Sequence, residues 1–203
     1  MSFRSTGICR LAAALLLAIW GTAALAQDLP ARFTVTGVAS GDVLNVRGEP
    51  SASARVVATL PPGSTGVEIL SLSPDGRWGL MPLREGSGWV SLRYLAREAA
   101  SGTPLPRPLL CRGTEPFWAL SVTGTGAAFE TPEAGAVPLR PLGEVAGITG
   151  GVAAFDAGGE TLDLTVVRRA CSDGMSDRPY GFTAMVWNRG GTFLEGCCAL
   201  SSR

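Results

Sequence analysis

Histidine and lysine are both missing from the 203 residues, so each of the 17 basic side chains is an arginine. Without imidazole there is no histidine general base, no His-ligated zinc or haem, and no imidazole pH switch. Neither sign of charge is in excess: 17 basic residues balance 17 acidic ones. A nucleic-acid binder would need a basic face for phosphates, so that class is excluded as a partner. Long apolar runs are scarce too, with a single one near the N-terminus. What the chain does have is 46% hydrophobic residues, 27 glycines and 14 prolines. That is enough apolar material for a packed core, and so many turn formers suit short strands better than helices.

The single apolar run, residues 11–25, follows Arg4 and Arg10 and ends in Ala24-Leu25-Ala26. A basic start, an apolar stretch and an A-x-A site make residues 1–26 a secretory signal peptide. The competing reading is a retained membrane anchor, since the run approaches spanning length; the small residues before Gln27 favour cleavage. Cys9 precedes the apolar stretch and follows Ile8, so it is not a lipid-attachment cysteine. Removing Arg4 and Arg10 leaves 15 basic against 17 acidic residues. The expected product is periplasmic or secreted, with no stable membrane insertion.

Four cysteines lie beyond the signal: Cys111, Cys171, Cys197 and Cys198. In an oxidising compartment an even count reads as two disulfides with three possible connectivities. A Cys197–Cys198 bridge is disfavoured by the strain of joining adjacent residues. Paired C-x-x-C knuckles are absent, which argues against a thiolate zinc site, and the calcium-loop spacing D-x-D-x-D-G is absent as well. No cofactor or metal is expected.

A proline-rich stretch, residues 98–109, reads as a semi-rigid linker. It separates a cysteine-free segment, 31–97, from a cysteine-containing one, 110–200. The first shows strand patterns at 33–38, 43–47, 55–60, 67–72, 77–83 and 88–92, separated by Gly-Glu-Pro, Pro-Pro-Gly and Pro-Asp-Gly turns. Six short, evenly spaced strands in so small a segment predict a small β-barrel.

The motifs in this segment are Asp42-Val-Leu-Asn-Val-Arg-Gly-Glu-Pro50, Val57-Ala-Thr-Leu-Pro-Pro-Gly63 and Gly88-Trp-Val-Ser-Leu-Arg-Tyr-Leu95. In order and spacing they resemble the bacterial SH3-type (SH3b) domain. Gly48-Glu49 stands where that family usually has Ser-Gly, a change confined to a turn. The resemblance implies binding of a peptide or a cell-wall component without chemistry. Trp78, Trp89, Tyr94 and Arg47 are the candidate ligand-binding residues. Each also has a structural reading: Trp89 fills the interior, and Arg47 hydrogen-bonds carbonyls at the barrel closure. Trp78 follows a turn and is the better candidate for an exposed aromatic beside Tyr94.

In the second segment strand patterns cover 118–123, 127–130, 152–155, 161–168, 182–187 and 192–195. Leu162, Leu164 and Val166 alternate with Thr161, Asp163 and Thr165, the period of a strand with one wet face. Asn188-Arg-Gly-Gly191 makes the last two a hairpin. An antiparallel meander, closed into a barrel, brings Cys111, Cys171 and the Cys197–Cys198 pair to one rim. One bridge should therefore start at Cys111 and one at Cys171, each reaching a different member of the pair; which goes where is open. The fold class expected for the whole chain is all-β: a small SH3-like barrel, then a disulfide-bonded antiparallel β meander or barrel.

Two patches in this segment carry polar and aromatic residues, Gly113-Thr-Glu-Pro-Phe-Trp118 and Cys171-Ser-Asp-Gly-Met-Ser-Asp-Arg-Pro-Tyr180. Glu115, Asp173 and Asp177 would make a cation site or a general-acid pair. The simpler reading has the two aspartates capping turns, with Trp118 and Tyr180 in the core. Together with the terminal Leu194-Glu-Gly-Cys197, these motifs resemble a bacterial envelope domain of uncharacterised role. It is similar in style to lysozyme-inhibitor and heat-shock lipoprotein modules, and it carries no established catalysis. The function expected is that of an exported, non-catalytic envelope protein whose partner is an envelope protein, a peptide or peptidoglycan. The alternatives are a cell-wall hydrolase accessory, or an inhibitor of a secreted hydrolase such as lysozyme inserting residues 172–178 into a cleft. Oligomeric state is not indicated.

Overall fold

The computed structural model of the protein describes residues 28–200; the expected signal peptide at 1–26 lies outside them. The described chain is all-β with no α-helix. Its first eight strands are β1 (Ala31–Val35), β2 (Leu44–Arg47), β3 (Val56–Leu60), β4 (Val67–Ile69), β5 (Ser71–Leu72), β6 (Trp78–Pro82), β7 (Ser87–Ser91) and β8 (Leu95–Arg97). They form two sheets, ordered β4-β1-β8 and β3-β2-β7-β6-β5. Period-two alternation aims Phe33, Val35 and Ile69 from one sheet and Leu44, Val46 and Val90 from the other into a common core. The segment 67–72, read as one strand, is divided between the sheets. β4 pairs with β1 and β5 with β6, and at the corner Leu70 donates its N–H to the Leu80 carbonyl.

The second unit is a closed barrel of eight antiparallel strands: β9 (Leu109–Thr114), β10 (Phe117–Val122), β11 (Ala127–Thr131), β12 (Gly135–Ala146), β13 (Gly150–Asp156), β14 (Thr161–Cys171), β15 (Tyr180–Asn188) and β16 (Thr192–Ala199). Neighbours in sequence are neighbours in space, and β16 returns to β9 to close the ring. Closure removes the unpaired edges that a flat meander would expose. Leu120, Phe155, Leu164, Val166, Phe182 and Val186 fill the interior.

Two of these strands depart from the sequence expectation. β9 occupies 109–114, partly inside the stretch read as linker. β12 was not expected as a strand at all, because Pro138 and Pro141 interrupt it and its side chains are almost all exposed. A bulge between Pro141 and Gly143 lets the ladder absorb the second proline.

Both ends of the 98–109 stretch belong to the domains they join. The Glu98 carboxylate accepts hydrogen bonds from the Thr34 hydroxyl and the Gly66 N–H and pairs with Arg32 at 3.1 Å. Leu105, only 1% exposed, is part of the barrel core, and Arg107 pairs with Glu144 of β12 at 3.0 Å.

The units also touch directly. Glu68 of β4 is 2% exposed and accepts the Leu200 N–H at 3.0 Å. Arg178, from the loop before β15, donates to the Leu83 carbonyl at 3.1 Å. Burial pushes the Glu68 carboxyl up to about 7, against the Leu200 hydrogen bond and the nearby Arg178 and Arg32 charges that favour ionisation.

Both disulfides run as the meander requires. Cys111 bridges Cys198 and Cys171 bridges Cys197. Cys198 lies opposite Cys111 across the β16–β9 seam, where both side chains are buried. Cys197, one residue along and on the other face, meets the last residue of β14.

Candidate functional site

Two concavities gather the residues singled out above. The larger, about 810 Å³, lies on the first unit. The 37–43 loop, the start of β6 and the turn Leu92–Tyr94 bring Trp78, Tyr94 and Arg47 to its lining. Arg77, Arg93 and Asp42 join them, residues not among the candidate ligand-binding positions of the sequence reading. Arg93 lies over the Tyr94 ring, 4.7 Å from guanidinium carbon to centroid. Arg47 donates to the Ala54 carbonyl at 2.6 Å, which pins the loop after β2. Arg77 is held by Asp75 at 2.7 Å. The Asp75 carboxyl falls to about 2, chiefly because the Ser73 hydroxyl and then the Arg77 backbone and side chain donate to it. The groove thus offers an indole and a phenol ring beside three guanidinium groups and one carboxylate.

Trp89 does not fit the interior role expected of it. The inward positions of β7 are Gly88 and Val90, so Trp89 is half-buried on the opposite face, opposite Arg47 and Leu80, and it does not line the groove. A Cβ on Gly88 would collide with Val46, so the backbone there approaches too closely for a large inward residue.

The second concavity, about 410 Å³, lies on the outside of the barrel between β9–β11 and the loop 172–179. Here the two motifs of the second segment meet. The Thr114 hydroxyl donates to the Asp173 carbonyl at 3.1 Å. The Asp173 carboxylate accepts from the Met175 and Ser176 N–H groups and from the Ser176 and Tyr180 hydroxyls. Desolvation alone would raise its pKa, but these donors outweigh it and the net shift is downward. Tyr180 is shifted up, by burial first and by the Asp173 charge second. At neutral pH the pair is therefore carboxylate and phenol, and Asp173 is a turn cap as the simpler reading expects.

Trp118 is in the core, stacked with Phe129 at 6.1 Å and donating its indole N–H to the Glu195 carbonyl. Gly113 is what admits that indole, since any Cβ there would run into Trp118 Nε1 and the Glu195 carbonyl oxygen. Tyr180, expected in the core, is only half-buried, because its hydroxyl turns toward Asp173 at the groove. Glu115 and Asp177 are exposed and do not line the groove, so Asp173 is not joined there by the other two acids. Among the described residues no group of three metal-ligating side chains occurs.

The residues missed here were Arg112 and Glu130, together with Phe117, whose motif was noted but whose exposure was not. Alternation with buried Cys111 and Gly113 along β9 turns Arg112 outward, in a stretch where the sequence reading had no strand. Its alignment with Glu130 depends on strand register. No protein-family model, no curated protein and no solved structure matches this chain.

Proposed function

We propose that this is an exported, non-catalytic binding protein of the cell envelope whose first unit is an SH3-type (SH3b) module. Its ligand is a peptide segment of an envelope protein or of peptidoglycan, held in the Trp78–Tyr94 groove. The observation that carries this reading is the groove itself: the Trp78 and Tyr94 rings beside the Arg47, Arg77 and Arg93 guanidiniums, with Asp42 in the lining and Asp75 paired to Arg77. Rings cover apolar parts of a ligand at low entropy cost, and guanidinium forks hold carboxylates bidentately. A short peptide bearing carboxylates is the chemistry that complements both.

Two disulfides fit a non-cytoplasmic compartment, and among the described residues no helix is long and apolar enough to cross a membrane. The experiment is co-sedimentation with purified peptidoglycan and pull-down from envelope extract, comparing the native chain with Trp78→Ala/Tyr94→Ala. Retention lost in the double variant supports the groove. Equal retention, or none by either route, removes it.

A second reading, inhibition of a secreted hydrolase such as lysozyme, is favoured by the loop 172–178. It is fixed at its base by the Cys171–Cys197 bridge and presents Met175 at 68% exposure. An unchanged lysozyme rate at saturating protein disposes of it.

A further inference from the structure

The outer groove of the barrel has no part in the reading above, yet it has the features of a built site. β9, β10 and β11 place Arg112, Ala119 and Glu130 in one cross-strand row, since Ala119 is opposite Arg112 on one side and Glu130 on the other. Two strand steps set the backbones of Arg112 and Glu130 about 10 Å apart. Long side chains therefore flank a gap whose floor is a methyl group.

Neither Arg112 nor Glu130 enters an ion pair or a side-chain hydrogen bond among the described residues. Next along β10, Phe117 is 56% exposed at the rim, an aromatic face presented to solvent. The far wall is rigid, because Asp173 and Tyr180 are held by the hydrogen bonds described above and by the disulfide at the loop's base. Pre-set walls reduce the ordering cost of binding.

The geometry points to a binding site for a neutral saccharide in this groove, with one pyranose face on Phe117 and its hydroxyls shared between Arg112 and Glu130. The charges select the class. Arg112 opposes a cationic ligand, while Glu130 and Asp173 oppose an anionic one. A neutral group that both donates and accepts satisfies the guanidinium and the carboxylate together, and a hydroxyl does both. A pyranose adds the C–H face that an exposed ring covers. A peptide that binds by adding a strand has no edge to pair with here, because the barrel is closed. The volume is within the range of small-molecule sites.

The test is amide chemical-shift titration of the full secreted chain with two probes, the N-acetylglucosamine tetramer and maltotetraose, and with tetra-alanine as peptide control. The expected result is saturable shifts at Ala119, Glu130 and Tyr180 with at least one sugar. Affinity should fall at least about tenfold in Phe117→Ala and in Arg112→Gln. Trp78→Ala, in the other groove, should leave it unchanged, so failure of this site and failure of the peptide groove are separable. Phe117 and Arg112 are exposed, and unchanged spectra elsewhere will show that the variants fold. No saturable shift with either sugar at millimolar concentration, shifts that survive both substitutions, or tetra-alanine binding at these residues in place of sugar would each overturn the assignment.

Discussion

The two units reach stability by different routes. In the first, two sheets with open edges share a small core and neither described disulfide crosses them. In the second, a closed ladder of eight strands is stapled twice, once at the seam between β16 and β9 and once between the end of β14 and β16. Each concavity reflects its scaffold. The groove of the first unit is built mostly from loops and turns around Trp78 and Tyr94, whereas the barrel's groove rests on a strand row with a cross-linked loop as its wall. Loops supply varied side chains, and strands supply fixed spacing.

The strongest way to break this comparison is to remove a staple from one side only. Cys111→Ser/Cys198→Ser reopens a loop of 87 residues. On the chain-entropy account it should cost the barrel about 4.6 kcal/mol. Calorimetry should then show the barrel melting at a lower temperature, with the first unit's core little changed. A uniform shift of all unfolding signals would mean that the units unfold as one.

The next effect concerns the chain between them. Leu105→Ala should destabilise by about 3 kcal/mol, the usual cost of a large-to-small change in a core. Denaturant titration followed by barrel fluorescence measures it. A change below about 0.5 kcal/mol, the range of surface substitutions, would make 98–109 the simple spacer its prolines suggest.

The smallest effect sharpens the interface. Glu68 has its folded-state pKa raised from 4.5 to about 7, so the folded chain holds a proton that the unfolded chain releases between those values. That contribution to stability should therefore be fully present below pH 4.5 and be lost as pH rises to about 7. Glu68→Gln should flatten that decline between pH 5 and 8 in thermal melts. An unaltered slope would assign the pH dependence elsewhere.

Legibility in the sequence followed locality. The alternation of Leu162, Leu164 and Val166 and the Asn188–Gly191 hairpin are short-range signals, and both elements formed where they were read. Residues 135–146 were illegible because prolines and exposed side chains erase the two-residue period, yet neighbours on both sides recruit them as β12. Trp89 was misplaced for a related reason. A large aromatic suggests a core, but the close approach of Gly88 to Val46 set which face of β7 turned inward. Asp173 was readable as a turn cap from its loop, whereas its partner Tyr180 was not, since that contact needs the loop closed by the disulfide.

The amino-acid order alone determined an all-β chain and that Cys111 and Cys171 should each take one of two adjacent cysteines. Tertiary structure decided which, because only the β16–β9 register sets Cys198 against Cys111 and turns Cys197 outward to Cys171. The same register placed Arg112, Ala119 and Glu130 in line. Alternation along a strand is carried by adjacent residues, but alignment between strands is set by the closure of the whole barrel, which no short stretch of sequence encodes.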